Sequence, residues 1–211
     1  MLKYVIALAV GASLSCVPFS AGFEYALDDG AGNWSIGPSE WDAELLWGNC
    51  FDTVPGFETI DSISMSFAPD VPVGREVTFV LFDDPTNDYD PTDAVPLVQT
   101  TGLTVAGAPN EFITFDIPDT QVSGVFFVAG TMFLAQHEHG PRMDPDVQAG
   151  RSWLFFDSEI DLNNLGGSPL YYNMANTPFN GTWMVRAQAI PEPGMAAGLL
   201  ILALVCRRRA R

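Results

Sequence analysis

Between residues 23 and 189 the chain alternates short apolar runs with clusters of Gly, Pro, Asn and Asp, and no helical periodicity persists beyond a few turns. Ser62–Phe67 places Ile63, Met65 and Phe67 on one side and Ser62, Ser64 and Ser66 on the other, the period-two pattern of a half-exposed strand. Val77–Phe82 is apolar on both sides and reads as a central strand. Phe112–Ile117, Val125–Val128, Thr131–Leu134, Ser152–Phe156 and Thr182–Ala187 add further strands, with weaker ones at Phe23–Leu27 and Leu170–Tyr172. Roughly eight or nine strands joined by turn-rich links predict an all-β fold, an antiparallel β-sandwich of jelly-roll type. One helix is expected, at Ser39–Leu46, where Ser39 suits an N-cap and Glu40, Asp42 and Glu44 suit a helix N-terminus.

The two ends depart from this pattern. Residues 1–22 carry Lys3, then the apolar stretch Tyr4–Leu14, then Ser20 and Gly22 as small residues two apart, which is the order of a cleavable signal peptide cut before Phe23. Leu14-Ser15-Cys16 approaches a lipobox, but Ser13 stands where that motif has leucine. Residues 190–211 hold Pro191-Glu192-Pro193, an uncharged apolar run Met195–Cys206, and Arg207, Arg208, Arg209 and Arg211. The prolines stop a preceding strand. The run falls well short of the roughly 20 residues that span a bilayer, and the arginines form a cytoplasmic stop. The expected organisation is therefore a signal helix at 1–22, a β domain at 23–189 and a tail with a short hydrophobic helix at 190–211.

This tail resembles the PEP-CTERM sorting signal: motif, Gly-, Ala- and Leu-rich stretch and arginine cluster stand in the right order at the end of the chain. The resemblance implies recognition by a membrane exosortase, a transient inner-membrane stage, removal of the tail, and delivery to the cell envelope or exterior, often among extracellular polysaccharide. The middle resembles a loosely defined β-sandwich of sorting-tailed surface proteins. The shared features are Asp28-Asp29-Gly30, Trp47-Gly48-Asn49 with Phe51, Leu81-Phe82-Asp83-Asp84, Arg151-Ser152-Trp153 and Trp183-Met184-Val185-Arg186-Ala187. No activity comes with that likeness.

Charge narrows the partners. The formal net charge is −17. Between the two end segments the basic residues are Arg75, Arg142, Arg151 and Arg186, with no lysine, while all 26 acidic residues except Glu192 lie there. A surface so acidic repels phosphate backbones, and nucleic-acid binding is excluded. Once both ends are removed Cys50 is the lone cysteine, so no internal disulfide forms and a buried thiol is expected.

Candidate chemistry is sparse. Asp83–Asp93 concentrates aspartates, and Asp84, Asp88 and Asp90 would converge on calcium if the loop curls. The loop lacks the mid-loop glycine of an EF-hand and has Val95 where the bidentate glutamate belongs, and the plainer reading is a solvated loop between strands. His137-Glu138-His139 offers a two-ligand start for a transition metal if it lies on a strand, and a polar strand end if it does not. A Cys50–histidine pair is a further alternative. There is no G-x-S-x-G elbow, H-E-x-x-H or phosphate-cradling loop. Trp34, Trp41, Trp47, Trp153 and Trp183 are core residues or sugar-stacking platforms, according to their exposure. The reading is an exported, non-enzymatic surface or matrix protein with a structural or adhesive role. The alternatives are a carbohydrate-binding module with a cation-holding aspartate loop, then a glycan-active enzyme.

Overall fold

The computed structural model describes residues 22–105, 108 and 110–192. The expected signal helix, Cys16, Pro193, the apolar tail and Arg207, Arg208, Arg209 and Arg211 lie outside them. The described residues form an all-β fold of antiparallel sheets. In chain order the strands are β1 (Phe23–Tyr25), β2 (Trp34–Ser35), β3 (Ala43–Asp52), β4 (Thr59–Met65), β5 (Glu76–Asp84), β6 (Val95–Leu103), β7 (Ile113–Gln121), β8 (Val125–Leu134), β9 (Arg142–Asp144), β10 (Ser152–Asp157), β11 (Leu170–Asn173), β12 (Thr182–Trp183) and β13 (Val185–Ile190).

A four-stranded sheet runs β1-β13-β4-β7, a six-stranded sheet runs β11-β10-β3-β8-β5-β6, and a small third sheet runs β12-β9-β2. The four- and six-stranded sheets share one core. Leu45, Trp47, Phe79, Phe126 and Val128 meet Ile60, Ile63, Met65, Val185 and Ala187 there. Each large side chain fully withdrawn from water contributes on the order of 1.5–3 kcal/mol. The six-stranded sheet is also covered on its outer side, where Leu46, Cys50, Val80, Phe82, Phe127 and Phe155 pack with Ile160 and Leu165. Burial on both faces explains why Val77–Phe82 reads as continuously apolar.

The expected helix at Ser39–Leu46 is overturned. Residues 43–52 are a strand, and Ser39–Asp42 precede it without helix. Leu45 and Trp47 point into the shared core while Leu46 and Cys50 enter the outer cluster, a period of two that a helix cannot supply. Glu44, read as a helix-start acid, accepts hydrogen bonds from Thr131 Oγ1 at 2.8 Å and the Ile160 N–H at 2.7 Å. Other expected strands change in extent: Val125–Val128 and Thr131–Leu134 are one strand running through Gly130, Thr182–Ala187 breaks at Met184, Phe112–Ile117 becomes Ile113–Gln121, and Ser62–Phe67 becomes Thr59–Met65.

Buried polar groups tie the sheets together. The Asn49 side-chain amide donates to the Trp183 and Val185 carbonyls at 2.8 and 3.0 Å, and its oxygen accepts from Ser152 Oγ at 2.7 Å. Trp183 Nε1 donates to the Trp153 carbonyl at 2.8 Å. Gly48 is required beside them, because a Cβ there would strike the Val128 carbonyl oxygen.

Candidate functional site

A concavity of about 580 Å³ is built from two walls. One is the segment that leaves β2 and passes through Gly37 to Trp41. It is pinned to the turn after β8: the His137 N–H donates to the Pro38 carbonyl at 2.7 Å and the Gly140 N–H to the Ile36 carbonyl at 3.2 Å. Gln136 donates to Asp42 Oδ1 at 2.9 Å from its backbone and to the Ser39 carbonyl at 3.0 Å from its side chain. Gly37 lies so close to the Glu138 carbonyl that any side chain would collide with it. The other wall is the β10–β11 edge. Strand alternation turns Leu154, Phe156, Leu170 and Tyr172 toward the groove and leaves Tyr171 to stack on Phe155 on the opposite side.

The groove is mostly apolar, and Trp41, Phe156, Tyr172 and Phe179 are its aromatic side chains. Trp41 and Phe179 are half exposed and Tyr172 is 42% exposed, all lining it. Glu40 is the only carboxylate of the lining and His139 the only imidazole, and the His139 Nδ1 stands 3.6 Å from Asp70 Oδ2. The other tryptophans separate cleanly: Trp47, Trp153 and Trp183 are core, and exposed Trp34 lies outside the groove.

His137-Glu138-His139 is a turn, not a strand. His137 has a left-handed φ of 67°, and Glu138 closes the turn by accepting from the Ala135 N–H at 2.8 Å and from Arg75 at 2.9 Å. The Ala135 N–H, then Arg75, holds the Glu138 carboxyl below the usual glutamate range. Among the described residues neither histidine joins a group of metal-ligating side chains.

The aspartate loop divides its acids. Asp84 is buried and works inward: Oδ1 accepts from the Asn87 N–H at 2.9 Å and Thr86 Oγ1 at 3.2 Å, and Oδ2 accepts from the Tyr89 N–H at 3.0 Å. Asn87 and Tyr89 take left-handed φ values of 57° and 65° to aim those N–H groups. Asp88, Asp84 and Asp93 bring carboxylate oxygens within 4.8 Å of one another. Asp90 is not among them; it caps the short 3-10 turn at Pro91–Asp93 by accepting from the Thr92 N–H at 3.1 Å. Calcium takes six to eight oxygens, so these three carboxylates are a partial shell at most, and Asp84 already serves backbone donors.

Beside this loop, Tyr89 donates to Asp52 Oδ1 at 2.6 Å and Arg151 to Asp52 Oδ2 at 2.6 Å, with the guanidinium 4.3 Å above the Tyr89 ring. Tyr89 first, then Arg151, lowers the Asp52 carboxyl. Cys50 is buried under the loop, and burial pushes its thiol far up, with Asp84 adding to the effect. It sits near the Asp52 end of the β3–β8 ladder whereas the histidines follow the Leu134 end, so no cysteine–histidine pair forms.

The first residues of the tail lie at that same Asp52 end. The Glu192 N–H donates to the Gly56 carbonyl at 2.9 Å, and Glu192 Oε1 accepts from Thr59 Oγ1 at 2.7 Å and Gln121 Nε2 at 2.9 Å. The aspartate loop and the residues up to Glu192 therefore share one end of the domain, and the groove lies toward the other, by Ala43. The groove and the aspartate loop are not one site. No family model, curated protein or solved structure matches this chain.

Proposed function

We propose that this chain is an exported, non-enzymatic surface protein, a jelly-roll-like β-sandwich with an adhesive or structural role in extracellular matrix. In this reading an exosortase sorts it through Pro191-Glu192-Pro193, with Arg207, Arg208, Arg209 and Arg211 as the cytoplasmic stop. The observation that carries the reading is the pairing of the domain's two ends: Phe23 lies opposite Ala189 in the β1–β13 ladder. The described strands begin at the residue expected after signal cleavage and end at Ile190, just before the motif. Repeated crossing of the chain between the two larger sheets, at β3–β4, β4–β5, β6–β7 and β7–β8, supports the jelly-roll likeness.

That the described strands lie within residues 23–190 supports maturation at both ends. The engaged state of Asp52, Asp84 and Glu138, and the depth of Cys50, support a binding role over catalysis. Sequencing the N-terminus of exported material tests the reading. A start at Phe23 is expected; a start at Met1, or a lipidated Cys16, would overturn it.

A further inference from the structure

We propose that the groove between the Ile36–Trp41 segment and the β10–β11 edge binds an uncharged polysaccharide chain. The inference supplies a ligand for the adhesive role proposed above and rests on it only for its biological setting.

Size and shape come first. About 580 Å³ falls within the roughly 300–1,000 Å³ of ligand-binding clefts. Trp41, Tyr172 and Phe179 are each more than two-fifths exposed while converging on one concavity. Large aromatic side chains normally hide in cores, and this chain hides Trp47, Trp183, Phe79 and Phe126 completely. The same sequence thus leaves three rings uncovered at one place and fixes the backbone beneath them. The C–H faces of pyranose rings stack on such surfaces, and hydroxyls fit the few polar groups present, Glu40 and His139 among them.

Charge selects among the occupants that aromatic grooves accept. The domain around the groove is strongly acidic, which disfavours polyanions. A basic peptide would call for several carboxylates in the groove, yet with acids abundant elsewhere the lining holds only Glu40. A nearly neutral aromatic cleft on a polyanionic domain complements a neutral ligand. Its position agrees, since it lies by Ala43, at the end of the domain remote from Glu192.

The test is affinity electrophoresis of the full-length chain in mild detergent. The gels contain soluble neutral α-glucan, β-glucan or galactomannan, beside gels with alginate and samples mixed with oligo-lysine. Retardation by at least one neutral polymer is expected. Trp41→Ala and Tyr172→Ala should each weaken it about tenfold, in the manner of a central aromatic anchor. Trp41→Phe should restore part of the loss, and Trp34→Ala, outside the groove, should leave binding unchanged. Unaltered melting temperatures separate lost binding from lost folding. The proposal is overturned if no neutral polymer retards the protein, if alginate or oligo-lysine is the sole binder, or if binding survives both groove substitutions. Because these are solution measurements, their failure leaves the sorting reading standing, and a sorting failure leaves the groove untouched.

Discussion

Phe23 and Ala189 face each other across one antiparallel ladder, so the residue expected to start the mature protein is paired with the residue before the tail segment. Two positions on, Tyr25 lies opposite Ala187, and its hydroxyl accepts from the Val54 N–H and donates to the Phe57 carbonyl, both at 2.9 Å. The N-terminal strand is thus bolted to the β3–β4 connection as well as to β13. A chain of residues 22–192 is expected to fold alone, with a far-UV circular dichroism spectrum of β type. Tyr25→Phe should lower its stability by about 1–2 kcal/mol, for two lost hydrogen bonds, measured by urea unfolding. A helix-dominated spectrum, or a neutral Tyr25→Phe change, would contradict this arrangement.

Acid should weaken the turn that supports the groove. Glu138 has a lowered pKa in the folded protein, so its contribution to stability is fully present above its unfolded pKa, about 4.3, and is lost as pH falls through the folded value. Glu138→Gln should therefore cost about 0.5–1 kcal/mol at pH 7, discounted for its partial exposure, and little once the parent's carboxyl is protonated. Urea midpoints of parent and variant at pH 7 and below pH 3 should converge on acidification. A constant gap would mean that charge plays no part in closing the turn.

Asp84 serves the folded loop before it serves any ion. Asp84→Ala leaves the Asn87 and Tyr89 N–H groups without their acceptor, a loss of about 1–3 kcal/mol. The same loss should appear in melts with millimolar calcium and with chelator. A calcium-dependent rise in melting temperature that Asp88→Asn and Asp93→Asn together remove would instead assign the cluster to a cation.

Much of the sheet framework is legible in the chain. Val77–Phe82 and Ser62–Phe67 announce their strands because burial on two faces and on one face leaves different periodicities. β3 was hidden because Glu40, Asp42 and Glu44 imitate a helix start. Only the fold reveals that Thr131 and the Ile160 N–H satisfy the Glu44 carboxylate. β6 was masked by Pro96, which an edge strand tolerates because it needs no donor on its outer side. The groove was not legible at all. Residues 35–41 and 154–179 meet only through sheet order, and nothing local distinguishes exposed Trp41 from buried Trp47. Likewise, nothing in the spacing announces that Asp93 joins Asp84 and Asp88 while Asp90 caps the short turn at Pro91–Asp93.

Sorting by the tail is the central claim. Each arginine at the centre of a membrane helix is unfavourable by roughly 2.5–3.5 kcal/mol, so the cluster should hold the short apolar run in place while the motif meets its enzyme. The direct measurement is the mass and cell fractionation of tagged protein in a host with an exosortase and in the same host lacking it. Three chains are compared: the parent, a variant with Pro191, Glu192 and Pro193 changed to alanine, and a variant with Arg207, Arg208, Arg209 and Arg211 made neutral. The parent should lose its tail only where the exosortase is present. The motif variant should remain full-length and membrane-bound, and the arginine variant should fail to dock. Processing and localisation of all three chains alike in both hosts would contradict the claim.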